Sequence, residues 1–239
     1  MPTRRHFLQA TTASVAATPF GLGLRDRIPH LQVAVGGGAL RAVRYAVEGL
    51  VPTPHSLAVD GCDLDLDKTV IPAHLRLGEG PRPRLGAGGG QAVGRRMAEA
   101  ASQEIASRVG RADIVLLVAC MGGGIGGGAA PVIARVARET GSLVIAVPLL
   151  PFRAEGEVRV ARAKAAQRAL AAAADATLPL PYDELYPFER RSTERPAWPS
   201  LDVALSDVVC ALCWRVRDAR EQSGHRPTLE AVMHPPILG

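Results

Sequence analysis

The sequence predicts an α/β fold: a Rossmann-like, mostly parallel sheet with helices on both faces. Three observations carry this. Short apolar runs alternate with helical stretches from residue 28 to residue 222. Two of those runs stop at glycine clusters that open helices. Of the 239 residues, 47% are hydrophobic but only 4% aromatic, so a full-sized core is available and must be built from small aliphatic side chains.

Residues 31–35 (LQVAV) read as a buried strand that stops at glycine, and 39–50 as the helix after it. Residues 56–59 read as a second strand ending at Asp60. The acids, prolines and glycines of 61–83 read as loops around short elements. In 94–109 the residues Met97, Ala101, Ile105 and Val109 share one helical face. Residues 113–119 (DIVLLVA) carry the strongest strand signal. A helix is expected over 130–140, with Pro131 in its first turn, where a missing N–H does no harm, and Gly141 as its stop. Then come a strand (143–147), an alanine- and arginine-rich helix (156–174), a short strand (176–180), a polar loop (186–200) and a long helix (201–222).

The formal charge is +5, but its arginines, such as Arg4, Arg5, Arg95, Arg96, Arg190 and Arg191, are dispersed and have no interleaved aromatics. No nucleic-acid surface is indicated. The four cysteines are too few for a disulfide scaffold. Cys210 and Cys213 form a C-x-x-C within an apolar helical run, with no second pair to complete a zinc site, so they read as buried thiols. No stretch reaches the roughly 18 apolar residues of a membrane-spanning helix.

Thirteen of the 25 glycines fall in three clusters: Gly36, Gly37 and Gly38; Gly86 with Gly88, Gly89 and Gly90; and Gly122, Gly123, Gly124, Gly126, Gly127 and Gly128. The first and third each follow a strand and precede a helix. Glycine there permits positive φ and close approach of a ligand, and the exposed N–H groups of the helix start favour an anion. Ligands of open α/β sheets sit outside the carboxyl ends of the strands, so two such ends imply a phosphate-bearing ligand. The first cluster is not a strict G-x-G-x-x-G, and it lacks the lysine-bearing P-loop.

At these residues the chain resembles the FtsZ/tubulin family, on the FtsZ side. Gly122-Gly123-Gly124-Ile125-Gly126-Gly127-Gly128, after Met121 and before Ala129-Ala130-Pro131, is similar to the family's GGGTGTG loop. Val35-Gly36-Gly37-Gly38 looks like its first phosphate loop. Leu85-Gly86-Ala87-Gly88-Gly89, through Val93-Gly94-Arg95, looks like the LGAG…VGR loop that faces the terminal phosphate. Pro151-Phe152-Arg153-Ala154-Glu155-Gly156 with Arg159 resembles a PF-x-x-EG-x-x-R segment, which implies Glu155 on the ribose and Arg159 on the nucleotide. Residues 180–185 stand in the place of an IPND-L segment, and Asp207 matches the acid that meets guanine. The resemblance spans about residues 30 to 220. It implies a nucleotide-binding domain at 28–222, flanked by a tail or signal (1–27) and a short C-terminal tail (223–239).

The departures bear on activity. Ile125 and Gly127 replace two phosphate-touching threonines, each hydroxyl contact being worth about 0.5–1.5 kcal/mol. Arg41 stands in place of a nucleotide-contacting asparagine, and Tyr182 in place of a base-contacting one. After the last long helix, the family's N-x-D-x-x-D loop has no counterpart. The expectation is a GTP- or GDP-binding protein, with Mg2+. It would serve as a nucleotide-dependent scaffold or regulator in assembly, division or membrane remodelling, with weak or no hydrolysis, and would self-associate or meet another FtsZ-like protein. Three alternatives stand beside it: an active GTPase completed in trans, a dinucleotide-dependent oxidoreductase using Gly36, Gly37, Gly38 and Asp60, and a nucleotide-free interaction module. The expected location is cytoplasmic, where GTP is found. The alternative is export, because residues 3–9 (TRRHFLQ), before a mildly apolar stretch to Leu24, resemble a twin-arginine signal.

Overall fold

The computed structural model describes residues 28–49, 55–79, 85–185, 198–223 and 228–233. The twin-arginine-like segment lies outside the described residues. A seven-stranded sheet contains β1 (Ile28–Val35), β2 (Ser56–Asp60), β3 (Ala73–Arg76), β4 (Ala112–Cys120), β5 (Leu143–Leu150), β6 (Ala176–Thr177) and β7 (Leu180–Pro181). The order is β3-β2-β1-β4-β5-β6, with β7 also on β5, and every pairing is parallel.

Alternate residues of the central strands feed two cores. Val33 and Val35 of β1 and Val115 and Leu117 of β4 face one side. That core is closed by α3 (Gln91–Ala100), α4 (Ser102–Val109), α5 (Gly124–Glu139) and α6 (Glu157–Ala173). Ala34, Ile114, Leu116 and Val118 face the other. They meet α1 (Gly37–Gly49), α2 (Asp63–Asp67), α7 (Tyr182–Leu185), α8 (Trp198–Ser223) and α9 (Leu229–Met233). Both faces are thus covered, as near-continuous apolar parallel strands require. The chain winds outward from β1 in one direction and from β4 in the other. The order therefore reverses between β1 and β4, and a crevice opens outside their carboxyl ends.

The structure departs from the sequence reading in four places. The helix expected over 130–140 begins at Gly124, so most of the third glycine cluster is helix and Pro131 lies inside it. Packing overrides propensity here. Glycine costs roughly 1 kcal/mol against alanine in a helix, but these glycines admit backbone neighbours where side chains would stand. A Cβ on Gly126 would lie 2.0 Å from the Cys120 carbonyl oxygen, and one on Gly128 would lie 2.2 Å from that of Gln91. The helix read over 94–109 is two helices that part at Ala101. Within 61–83, read as loops around short elements, those elements are the short α2 and a strand of the sheet, the edge strand β3. Finally, Leu229–Met233, read as tail, forms α9, whose Val232 is buried and whose carbonyl accepts from Arg215 Nε at 2.9 Å. Cys210 and Cys213 are free and buried, as expected.

These contacts predict opposite outcomes for two alanine substitutions. A Cβ on Gly94 of α3 would lie 2.1 Å from the Gly124 carbonyl oxygen, whereas one on Gly123 meets nothing within 4 Å. Gly94→Ala should lose about 1–3 kcal/mol in chemical denaturation. Gly123→Ala should stay within about 0.5 kcal/mol of the wild type.

Candidate functional site

Two helices begin side by side at the crevice. The N-cap of α5 is Gly123 and that of α3 is Gly90, and neither cap makes a side-chain hydrogen bond. The first N–H groups of a helix have no intrahelical acceptor, and its N-terminus carries about half a positive charge. The two ends are nearly in contact: a Cβ on Gly124 would lie 3.0 Å from Gly90 N. Between them, Gly88 (φ +54°), Gly89 (φ +79°) and Gly123 border open space, and Gly122 turns out of β4 at φ +87°. Uncapped donors from two helices thus converge on one small volume, an arrangement suited to a phosphate.

The first glycine loop closes the opposite wall. Gly36 (φ +85°) packs on α5, where a Cβ would lie 3.1 Å from Gly126 N. Gly38 lies over the end of β4, where a Cβ would lie 2.6 Å from Cys120 Sγ and 3.9 Å from the Tyr182 hydroxyl. That hydroxyl is 3.7 Å from Cys120 Sγ, and the Tyr182 ring packs at 5.3 Å against Phe152. Tyr182 is 5% exposed, so it forms floor more than wall. Burial raises the pKa values of both Cys120 and Tyr182, which keeps thiol and phenol neutral.

Arg159 and Glu155 face the loops from the far side. The Arg159 side chain lies over Gly122, with its Cγ 3.0 Å from where a Cβ would be. Arg159 Nε is 2.7 Å from Glu155 Oε2, yet its N–H is not aimed along that line. The contact is an ion pair, and the buried Nε has no hydrogen-bond acceptor among the described residues. The other Glu155 oxygen accepts the Phe152 N–H at 2.9 Å.

Not every expected residue joins the cluster in the same way. Ile125 is buried and directed to the core, with its Cδ1 3.0 Å from the Cβ position of Gly61; Gly127 faces Gln91 and α6. Met121 is fully buried, and its N–H bonds the Leu149 carbonyl at 2.8 Å. Arg41 is exposed on α1, and its positive field reaches Cys120, Tyr182 and the buried Asp202 of α8. Burial raises Asp202, and Arg41 opposes that rise. Asp207 is exposed on α8, where its charge acts on Cys210.

The reading from sequence passed over the burial of Asp60, at the carboxyl end of β2 and only 3% exposed. Its carboxylate accepts the Cys62 N–H at 2.9 Å, and the Gly61 and Gly37 N–H groups act on its charge. Burial pushes Asp60 up to about 6; the N–H groups hold it down, while the Asp65 charge adds to the rise. An acid directly after an apolar strand was the available signal. The groove of about 1020 Å3 between α3, α5 and α6 shares Gly127 and Gly128 with the third glycine cluster. Its floor is mostly alanine and glycine, and its rim charges are paired as Arg95–Glu99, Arg135–Glu139 and Arg138–Asp175. It offers nothing comparable to the crevice for holding a phosphate.

Comparison with known proteins agrees with this fold. Residues 33–189 match the model of the Tubulin/FtsZ family, GTPase domain. Among solved structures, an empty FtsZ dimer of M. jannaschii is similar at TM-score 0.70 and 24% identity, over 90% of this chain and 60% of that one. CetZ1 from Haloferax volcanii, a GDP-bound monomer, is similar at TM-score 0.64 and 24% identity, over 75% of this chain and 57% of that one. TubZ of Clostridium botulinum phage c-st is similar at TM-score 0.61 and 18% identity, over 81% and 61%. The chain thus spans only about 60% of the FtsZ structure's length. The family model covers more than half of the chain, which belongs to the Tubulin/FtsZ family and has its GTPase-domain fold.

Asp60 predicts a pH dependence of stability. Its folded value lies above the ordinary 3.8. Its stabilising contribution is therefore complete below about pH 3.8 and lost as the pH rises through about 6. Between pH 4 and 7 the wild type should lose on the order of 1–3 kcal/mol relative to Asp60→Asn, as read from urea denaturation of both proteins.

Proposed function

We propose that this member of the Tubulin/FtsZ family binds GTP or GDP in the crevice between β1 and β4. It acts as a nucleotide-dependent scaffold or regulator that turns its nucleotide over slowly. The observation that carries the reading is the pair of uncapped helix N-termini, α3 and α5, meeting at Gly88–Gly90 and Gly122–Gly124 beside a buried Arg159 Nε without an acceptor. Phosphates lie against Gly36, Gly37 and Gly38, Gly88, Gly89 and Gly90, and Gly122, Gly123 and Gly124. Glu155, Arg159 and Asp207 take the ribose and base.

Mg2+ accompanies the nucleotide. Among the described residues no three His, Cys, Asp or Glu side chains form a metal cluster. The ion is then held by phosphate oxygens and water, as Mg2+ often is at phosphate sites. Slow turnover follows from the departures in sequence. Ile125 and Gly127 bring no hydroxyl, and residues 224–239 hold one acid, Glu230. Self-association, or pairing with another FtsZ-like chain, is the expected use of a bound nucleotide. No helix among the described residues is long and apolar enough to cross a membrane, and the proposed location is the cytoplasm.

Calorimetric titration with GTP, GDP and ATP plus magnesium tests the reading. Guanine nucleotides should bind, and Arg159→Ala should weaken them about 10- to 100-fold, the loss of a charged hydrogen bond worth about 1.5–3 kcal/mol. No binding of any nucleotide at millimolar concentration overturns it.

A further inference from the structure

The carboxylate of Asp60 stands where the glycine loops meet. On one side it stands beside the first loop, whose Gly36 N–H bonds the Val59 carbonyl at 3.0 Å and whose Gly37 N–H, at the start of α1, acts on its charge. On the other it accepts the Cys62 N–H, and the Gly61 N–H acts on its charge. That second segment holds the next loop: the Gly61 carbonyl accepts the Gly86 N–H at 3.1 Å, and Cys62 bridges Leu85. Gly61 also packs on the third, with the Ile125 Cδ1 of α5 3.0 Å from its Cβ position. One buried side chain therefore ties the first loop to the second through two short links, at the back of the crevice.

We infer that Asp60 is the positioning residue of the two loops, and that its charge couples phosphate uptake to uptake of a proton. This rests on the nucleotide-binding reading above. The carboxylate backs Gly37, so a phosphate at the first loop brings a second anion towards it and favours its protonated form. A protonated carboxyl keeps an acceptor oxygen for the N–H groups while shedding the repulsion. The groups around it leave this charge exposed to the ligand's field. Asp65 of α2 adds negative charge, its carboxylate oxygen lying 2.8 Å from the Cβ position of Gly37. Asp63 and Asp67 of α2 are engaged by Arg76 of β3. From α5 and α3 the side chains nearest Gly61 are the apolar Ile125 and Met97, and from β4 Cys120 stays a neutral thiol. Because Asp60 titrates near 6 without ligand, the coupling falls between about pH 6 and 8.

Two measurements test this. In the ligand-free protein, the amide resonances of Gly37, Gly61 and Cys62 should share one titration midpoint near 6. Asp65→Asn, an exposed change that leaves the Cys62 bond intact, should move that midpoint down, and Asp60→Asn should abolish it. With GDP, calorimetry in two buffers of different ionisation enthalpy should show the wild type taking up a proton that Asp60→Asn does not. The affinity ratio of wild type to variant should fall up to about tenfold from pH 6 to pH 8, the change expected when a bound anion raises the carboxyl by about one pH unit. Three separate midpoints, or none, overturn the positioning role even if Asp60→Asn fails to fold. GDP binding with equal pH slopes in both proteins overturns the coupling alone. Absence of GDP binding to the wild type overturns the nucleotide reading and the coupling with it, while the amide titration still decides the positioning role.

Discussion

The crevice depends on one contact: the backbone of α5 lying directly against the end of β4 and against α3. Gly94, Gly124, Gly126 and Gly128 make it possible, because at each a Cβ would fall within 2.0–2.7 Å of an atom of the facing segment. An ordinary helix sits 8–10 Å from its neighbour because side chains intervene. Here the absence of side chains brings two helix N-termini together at one point. It also holds their N–H groups in place, since shifting α5 would mean moving the sheet and α3. A preorganised donor set of this kind loses little entropy when an anion arrives.

The glycine run therefore serves two ends, and its sequence does not separate them. Gly124, Gly126, Gly127 and Gly128 are needed where the helix packs, whereas Gly122 turns the backbone and Gly123 leaves the mouth open. The same geometry changes the meaning of the two threonine replacements. The Ile125 side chain belongs to the core, and Gly127 is pressed against Gln91, whose Nε2 lies 2.4 Å from its Cβ position. A Cβ there would have to displace the end of that flexible side chain.

Legibility followed burial. The central strands β1, β4 and β5 could be read from sequence because both faces are buried and their runs are continuously apolar. The edge strand β3 could not. It is four residues long, includes His74 and Arg76, and follows Pro72, which makes it look like loop. The break between α3 and α4 was hidden because the apolar spacing of Met97, Ala101, Ile105 and Val109 runs through it. At the site, the loops were visible as glycine. The polar side chains that hold them, Asp60 above all, were not, since a carboxylate at a strand end has the same one-letter signature whether exposed or buried.

Magnitudes bear on how such a crevice would admit a nucleotide. Its built-in negative charge comes from Glu155 on one side and Asp60 and Asp65 on the other. The Glu155–Arg159 pair is four residues apart and partly exposed, at 24% and 42%; pairs of that kind are worth about 0.3–0.5 kcal/mol. A charge-assisted bond from Arg159 to phosphate is worth about 1.5–3 kcal/mol, so Arg159 gains by exchanging partners. Glu155 would not be stranded by the exchange, because its other oxygen keeps the Phe152 N–H and solvent reaches the rest. Asp60 has no such exit: it is buried, and its carboxylate is held by the Cys62 N–H. The two sides of the crevice would therefore respond differently to an incoming anion, the outer one by moving a side chain and the inner one, on the proposal above, by changing protonation.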